Sequence, residues 1–112
     1  MEREFVQLPE FNKQWTQLGF NDDDLLELEE NIKKNPALGK IISGTGGVRK
    51  MRFAFEGRGK SGSARVLYID IFVAEKVLLL GAYAKGTKDT LTQDEKNELR
   101  KLTAILKDQY RD

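Results

Sequence analysis

The residues best able to do chemistry lie on two basic, strand-like runs in the middle of the chain. Lys50 and Arg52 belong to the run 48–55, and Arg65 belongs to the run 64–69. The chain contains no His and no Cys. Imidazole bases, thiolate nucleophiles and zinc-thiolate sites are therefore excluded. Any chemistry must be done by cations, tyrosines or carboxylates.

The distribution of charge draws attention to the same region. Residues 48–88 hold nine basic and three acidic side chains, whereas residues 1–47 hold five and nine, and residues 89–112 hold five and six. The formal net charge of +1 therefore hides a polarised molecule. A cationic centre between acidic segments predicts a local site for phosphate groups without indiscriminate binding to polyanions.

Length and composition indicate one globular domain. At 112 residues, with 39% hydrophobic and 33% charged residues, the chain fits a single domain over residues 1–112. Its N-terminus lacks the pattern of a signal peptide, and its longest apolar stretch, 77–82, is far shorter than the ~20 residues that span a bilayer. We therefore expect a cytoplasmic protein without a membrane-spanning segment, and we expect no cofactor.

The pattern of apolar and turn residues predicts the element order βααβββα. A capping box at Thr92 and Glu95 begins the last helix, and Pro9 ends the first strand. This order implies an α+β fold in which helices pack against one face of a mostly antiparallel sheet. The predicted strands are 5–8, 48–55, 64–72 and 77–84, and the first two predicted helices are about 11–17 and 22–35. Residues 37–47 are predicted to form a loop. The last helix carries an apolar stripe of Leu99, Leu102, Leu106 and Tyr110.

Alternation along the first basic strand gives it two different faces. Lys50 and Arg52 are expected on one face, and Met51, Phe53 and Phe55 on the other, which is the core face. Arg49 shares the parity of the core face and is expected at the strand edge, near solvent. A solvated outer surface is the competing interpretation of Lys50 and Arg52, and base stacking is the competing interpretation of the phenylalanines.

The same alternation applied to the other strands adds candidates. Gly81, Tyr83 and Lys85 are expected to share a face, beside Lys50 and Arg52, with Leu80, Ala82 and Ala84 opposite. Arg65 falls on a mixed face with Leu67 and Ile69. The competing interpretation of Tyr83 and Lys85 is a half-buried tyrosine at a sheet edge and a lysine that begins a loop.

Other local motifs are weak by themselves. Gly44-Thr45-Gly46-Gly47 lacks the ending of a phosphate-binding loop, and the glycine-rich stretch 57–60 does not lead into a helix. Arg58 and Lys60 could still reach a nucleic-acid backbone from that loop, which is otherwise an ordinary hairpin connection. The acidic run 22–24 matches no calcium loop and no metal site, and we interpret it as a helix N-terminus.

Taken together in order, four segments resemble one family. They are 35–39 (NPALG), 42–52 (ISGTGGVRKMR), 57–68 (GRGKSGSARVLY) and 83–92 (YAKGTKDTLT). In this order they resemble the RelE/HigB toxins of bacterial type II toxin–antitoxin systems. The resemblance is strongest to the HigB branch, which carries a Gly-Thr-Gly-Gly turn.

The resemblance implies a ribosome-dependent endoribonuclease, an mRNA interferase that cuts messenger RNA in the ribosomal A site and so inhibits translation. It also implies a microbial-ribonuclease-like fold and a co-encoded helix-turn-helix antitoxin of the HigA type. Leu91 stands where the RelE branch has a catalytic tyrosine, so that role is vacant or falls to Tyr83 or another group. By position, the expected catalytic residues are Lys50, Arg52, Arg65, Lys85 and Tyr83, and the expected RNA or ribosome contacts are Arg49, Arg58, Lys60 and Lys88.

The chemistry of RNA cleavage is compatible with these residue types. Attack by the 2′-hydroxyl needs a base, stabilisation of the phosphorane charge and an acid for the leaving oxygen, and none of these requires a metal. Crowded cations favour the neutral form of a lysine, which could then act as the base. Two alternatives remain open: a non-catalytic nucleic-acid or antitoxin-binding module with the same fold, and an inactive toxin relic that only binds its antitoxin.

Overall fold

The structure is a computed structural model that describes residues 3–54, 63–84 and 91–110. The predicted strands and helices are all found, with small changes at their ends. The elements in chain order are β1 (Glu4–Gln7), α1 (Pro9–Gln17), α2 (Asp22–Lys34), β2 (Lys40–Ile41), β3 (Arg49–Ala54), β4 (Ser63–Ile71), a 3₁₀ turn (Phe72–Ala74), β5 (Lys76–Ala84) and α3 (Gln93–Gln109).

The strands form one sheet in the order β1-β5-β4-β3-β2. The pairs β2–β3, β3–β4 and β4–β5 are antiparallel, and only β1 lies parallel to its neighbour β5. The predicted α+β class with a mostly antiparallel sheet is therefore confirmed. The two-residue strand β2 was not predicted, because it lies within the glycine-punctuated segment 37–47.

Side-chain caps fix where two of the helices begin. Asn21 Oδ1 accepts a hydrogen bond from the Asp24 amide at 3.0 Å, and the Asn21 amide donates to Asp24 Oδ2 at 2.8 Å. The interpretation of the acidic run as a helix N-terminus is thus confirmed. Thr92 and Glu95 form the predicted capping box of α3 in the same reciprocal way. Within the described ranges, no helix is both long and apolar enough to span a membrane.

The helices cover both faces of the sheet, so the expectation that they pack on one face is wrong. α1 and α2 cover one face through Phe11, Trp15, Leu28 and Ile32. α3 covers the other through Leu106, with its remaining predicted stripe packed around it. The physical reason is that the central strands β4 and β5 are apolar on both faces, so both faces must be shielded from water. The apolar residues are Val66, Tyr68, Val77 and Leu79 on the first face, and Leu67, Ile69, Ile71, Leu78 and Leu80 on the second.

A β-bulge changes the alternation of β5. Tyr68 pairs with Leu79, whereas the preceding residue Leu67 pairs with Gly81, so Leu80 is an extra residue in β5. As a result, Leu80 packs on the α3 side and Ala82 on the α1–α2 side. The expectation that Leu80 and Ala82 share a face is therefore wrong, because the bulge reverses the parity between them.

The Gly-Thr-Gly-Gly segment, residues 44–47, forms a turn that contacts α3. Thr45 Oγ1 donates to the Ile42 carbonyl at 2.7 Å and accepts from the Val48 amide at 3.1 Å, which closes the turn. Lys107 Nζ on α3 donates to the Gly46 carbonyl at 2.7 Å. The segment therefore supports the helix that covers the second face of the sheet.

Two glycines of this turn allow a matched test of that role. Gly44 and Gly46 both have φ of +83°, but a Cβ on Gly46 would lie 3.2 Å from Thr103 Cγ2, whereas a Cβ on Gly44 has nothing within 4 Å. Gly44→Ala is expected to lower the free energy of unfolding by about 1 kcal/mol through backbone strain alone. Gly46→Ala is expected to lower it by about 2–3 kcal/mol, since the steric contact adds to the strain. Urea unfolding of both variants checks this, and equal losses would show that α3 does not rest closely on the turn.

Candidate functional site

The register of the three long strands brings predicted residues into one row. Arg52 on β3 lies directly opposite Arg65 on β4, and Arg65 lies directly opposite Tyr83 on β5. Residues that are directly opposite share a face of the sheet and have adjacent Cβ atoms. Two arginines and a tyrosine from separate parts of the sequence are therefore neighbours on one surface.

Lys50 extends this row on the same side of the sheet. It pairs with Leu67, which packs on the α3 side, so Lys50, Arg52, Arg65 and Tyr83 form what we call the basic face. Arg52 is exposed and the other three are half-buried. Lys40 pairs with Lys50 across β2–β3 and is exposed, and it adds a cation that the sequence did not single out.

Ser63 joins the two arginines and was also missed from the sequence. Its Oγ accepts a hydrogen bond from Arg52 Nε and another from Arg65 Nη1, each at 3.1 Å. Ser63 is buried, with 9% of its surface exposed. Sequence reasoning placed it in the loop, although its spacing of two residues from Arg65 would give both side chains the same face once it is assigned to β4.

Arg49 lies away from the basic face. It pairs with Tyr68, on the side covered by α1 and α2, and its Nη1 donates to the Gly39 carbonyl at 2.7 Å. The Tyr68 hydroxyl accepts from the Gly39 amide at 2.8 Å and donates to the Pro36 carbonyl at 2.9 Å, and burial raises the pKa of Tyr68. Arg49 and Tyr68 together hold the segment 36–39 against the sheet.

The remaining predicted site residues lie outside the described residues. They are Arg58, Lys60, Lys85 and Lys88. In the sequence, Arg58 and Lys60 lie between Ala54 and Ser63, which pair with each other across β3 and β4. Lys85 and Lys88 follow Ala84, the last residue of β5. Their assignment to catalysis or to RNA contact stays a prediction.

An apolar groove of about 500 Å³ borders the basic face at Tyr83. Its walls come from β5, from α1 and from the beginning of α3, and include Leu80 and Leu99. Glu10, Asp94 and Glu98 also line it. Because carboxylates repel phosphate oxygens, a bound nucleic-acid backbone is expected to follow the basic face and to avoid the groove.

The arrangement favours stabilisation of a negatively charged phosphorus centre. Arginine stays protonated and offers planar N–H donors that match phosphate oxygens. Tyr83 lies on the same face as these donors, but its hydroxyl oxygen is buried and its side chain packs against the apolar cluster on the α3 side, so a change in its conformation is needed before it can exchange a proton with a bound ligand. Among the described residues, no group of three or more His, Cys, Asp or Glu side chains could hold a metal ion.

Comparison with known protein families gives a match that spans nearly the whole chain. The family model of the RelE toxin of the RelE/RelB toxin–antitoxin system matches residues 7–112. The chain belongs to the RelE toxin family. As a RelE-family chain it is the toxin component of a toxin–antitoxin system, and the family implies an antitoxin partner.

A solved structure of the family agrees in fold. The structure of a double arginine-to-alanine mutant of the E. coli toxin RelE in the free state matches with a TM-score of 0.58 and 13% sequence identity. The match covers 79% of this chain and 88% of that one. At this identity the likeness concerns the fold alone, and it shows that the α+β architecture described above is that of a RelE toxin.

Proposed function

We propose that this RelE-family toxin is a ribosome-dependent endoribonuclease that cleaves messenger RNA in the ribosomal A site and so inhibits translation in the cytoplasm. The observation that carries the proposal is the row Arg52–Arg65–Tyr83 across three strands, together with the buried Ser63 Oγ, which accepts a hydrogen bond from each arginine. Two fixed cations beside a hydroxyl suit a reaction in which negative charge builds up on a phosphate.

Each residue of the basic face has a distinct part in this reaction. In this proposal Arg52 and Arg65 bind the phosphate and stabilise the phosphorane charge, while Lys50 and Tyr83 exchange protons with the attacking and leaving oxygens. The Tyr83 hydroxyl, which is buried in the free protein, must become accessible to do so. By the resemblance, Lys85, which follows Ala84 in the sequence, adds a further cation to the site. The reaction proceeds without a metal ion, because the arginines supply the charge that a metal would otherwise supply.

The ribosome supplies what this site lacks. A site without His has no side chain whose unperturbed pKa lies near neutral pH, so proton transfer by its own groups is inefficient. Holding the 2′-hydroxyl in line with the phosphorus atom offsets this deficiency, because correct orientation can lower the barrier by about 7–11 kcal/mol. The programmed ribosome, with messenger RNA held in its A site, provides such a constraint.

The partner that neutralises the toxin is a co-encoded helix-turn-helix antitoxin of the HigA type. The sequence of the turn 44–47 and the segments around it resemble the HigB branch of the family. A partner that covers the basic face or keeps it from the ribosome would suppress toxicity. The adjacent open reading frame is therefore expected to encode a small helix-turn-helix protein.

Purified toxin is expected to cleave messenger RNA on programmed ribosomes and to leave the same RNA nearly intact in free solution. Primer extension on both samples measures the cut positions and their rates. Equal cleavage of both RNAs would contradict the ribosome dependence. Binding to programmed ribosomes without any cleavage would favour the alternative of a non-catalytic binding module with this fold.

A further inference from the structure

The pairing of Arg52 with Arg65 poses a physical problem. Like charges directly opposite each other on neighbouring strands destabilise a sheet. Here two guanidinium groups occupy such a pair on the face that carries Lys50 as well. Some group must therefore offset their repulsion and determine how they are arranged.

Ser63 is placed to do this. Its Oγ accepts hydrogen bonds from both guanidinium groups at 3.1 Å, so the two donor nitrogens are separated by no more than the span of two hydrogen bonds. Ser63 is the first residue of β4 and is buried, which restricts where its hydroxyl can go. Hydrogen bonds that involve a charged partner are stronger than those between neutral groups.

The two contacts also orient the donors that remain. Arg52 uses its Nε–H, so the contact does not involve its terminal Nη1–Nη2 edge. Arg65 uses Nη1 and leaves the edge formed by Nε and Nη2 outside the contact. A guanidinium binds a phosphate in bidentate fashion through one such edge. Each guanidinium group therefore keeps one edge that is suited to phosphate, while another of its nitrogens donates to Ser63 Oγ.

We propose that Ser63 is a positioning residue that holds Arg52 and Arg65 as a preorganised pair for one phosphate group of the RNA. This inference rests on the proposed function, because it assigns Ser63 a part in the cleavage step. Ser63 acts through the arginines and leaves their charges unchanged. Its loss should consequently slow the chemical step more than it weakens attraction to the ribosome.

Three substitutions at this position separate the hydroxyl from the volume it occupies. Ser63→Ala removes the acceptor, Ser63→Cys keeps the approximate volume with a much weaker acceptor, and Ser63→Thr keeps the hydroxyl on a residue that suits a strand. Ser43→Ala is the matched control, since Ser43 is an exposed serine in the turn that begins after β2. Thermal unfolding of each variant shows whether the domain remains folded.

Cleavage at saturating programmed ribosomes is expected to fall at least about tenfold in Ser63→Ala and Ser63→Cys, because misplaced reacting groups cost rate. The ribosome concentration at half-maximal rate should change by less than about twofold, since both cations remain. Ser63→Thr and Ser43→Ala should cleave at nearly the parent rate. Unchanged cleavage by folded Ser63→Ala, or equal losses in rate and binding, would overturn the inference.

A second measurement reads the geometry without relying on activity. In nitrogen-15 spectra of the free toxin, the Arg52 Nε–H signal is expected to exchange slowly with water in the parent and at least about tenfold faster in Ser63→Ala. Equal exchange in both would overturn the pairing even if cleavage fell. If the unsubstituted toxin binds ribosomes but cleaves nothing, both the proposed function and the cleavage role of Ser63 are overturned. If the unsubstituted toxin cleaves and the Ser63→Ala variant cleaves equally well, only the inference about Ser63 is overturned.

Discussion

Replacing Arg65 by Ala is expected to lower cleavage on programmed ribosomes about a hundredfold, since one transition-state contact is worth ~3 kcal/mol. Arg65 is the central member of the row, opposite Arg52 on one side and Tyr83 on the other. Its half-exposed side chain contributes little to stability, so the thermal midpoint should stay close to that of the parent. Single-turnover cleavage assays and growth arrest at matched soluble levels measure the effect.

The control for this variant must be a cation that contacts neither the basic face nor the turn that supports α3. Lys33 on α2 is suitable, because it is exposed, pairs only loosely with Glu30 at 3.6 Å, and belongs to a helix on the opposite side of the sheet. Lys107 is unsuitable despite its place on a helix surface, since it donates to the Gly46 carbonyl. If Arg65→Ala and Lys33→Ala were equally toxic, the basic face would be an ordinary solvated surface.

Phe53→Ala is expected to lower the free energy of unfolding by about 3–5 kcal/mol, a large share of the stability of a domain this size. Phe53 is 2% exposed, and its ring lies 5.5 Å from the Trp15 ring and 5.7 Å from the Phe20 ring. These contacts confirm the predicted core position of Phe53 and show that Trp15 packs between helix and sheet. Denaturant unfolding monitored by tryptophan fluorescence measures the loss.

A milder change at the same position separates core packing from base stacking. Phe53→Leu keeps an apolar side chain in the core but removes the aromatic ring. It is expected to cost less stability than Phe53→Ala and to leave the cleavage rate per folded molecule unchanged. A folded Phe53→Leu variant with strongly reduced cleavage would show that the ring contacts RNA.

The sequence predicted those features that depend on local pattern. Pro9, the acidic run at the start of α2, the cap at Thr92, and the alternation around Met51 and Phe53 each act within a few residues, and the corresponding elements were correct. The location of α3 was not predictable in this way. An amphipathic helix shows which of its own faces is apolar, but that pattern does not say which face of the sheet receives it.

The candidate site shows the same division. Alternation was sufficient to group Lys50 with Arg52 and to suggest Tyr83 beside them, and the register agrees with that grouping. Ser63 was missed because its importance lies in contacts to two other side chains, which no local pattern displays. Arg49 has the same charge as its neighbours but lies on the other side of the strand, so charge by itself overstated the basic surface.

The extra residue in β5 also bears on how this chain tolerates changes in length. Up to Leu79 the strand alternates in one phase, and from Gly81 onward it alternates in the opposite phase. Deleting Leu80 itself would remove the bulge and leave Tyr83 opposite Arg65. Deleting Ala82, which lies between the bulge and Tyr83, would instead turn Tyr83 to the side of α1 and α2 and leave Arg65 opposite Ala84. Every side chain of the site would still be encoded. The number of residues between the bulge and Tyr83 is therefore as important to the site as the Tyr83 side chain.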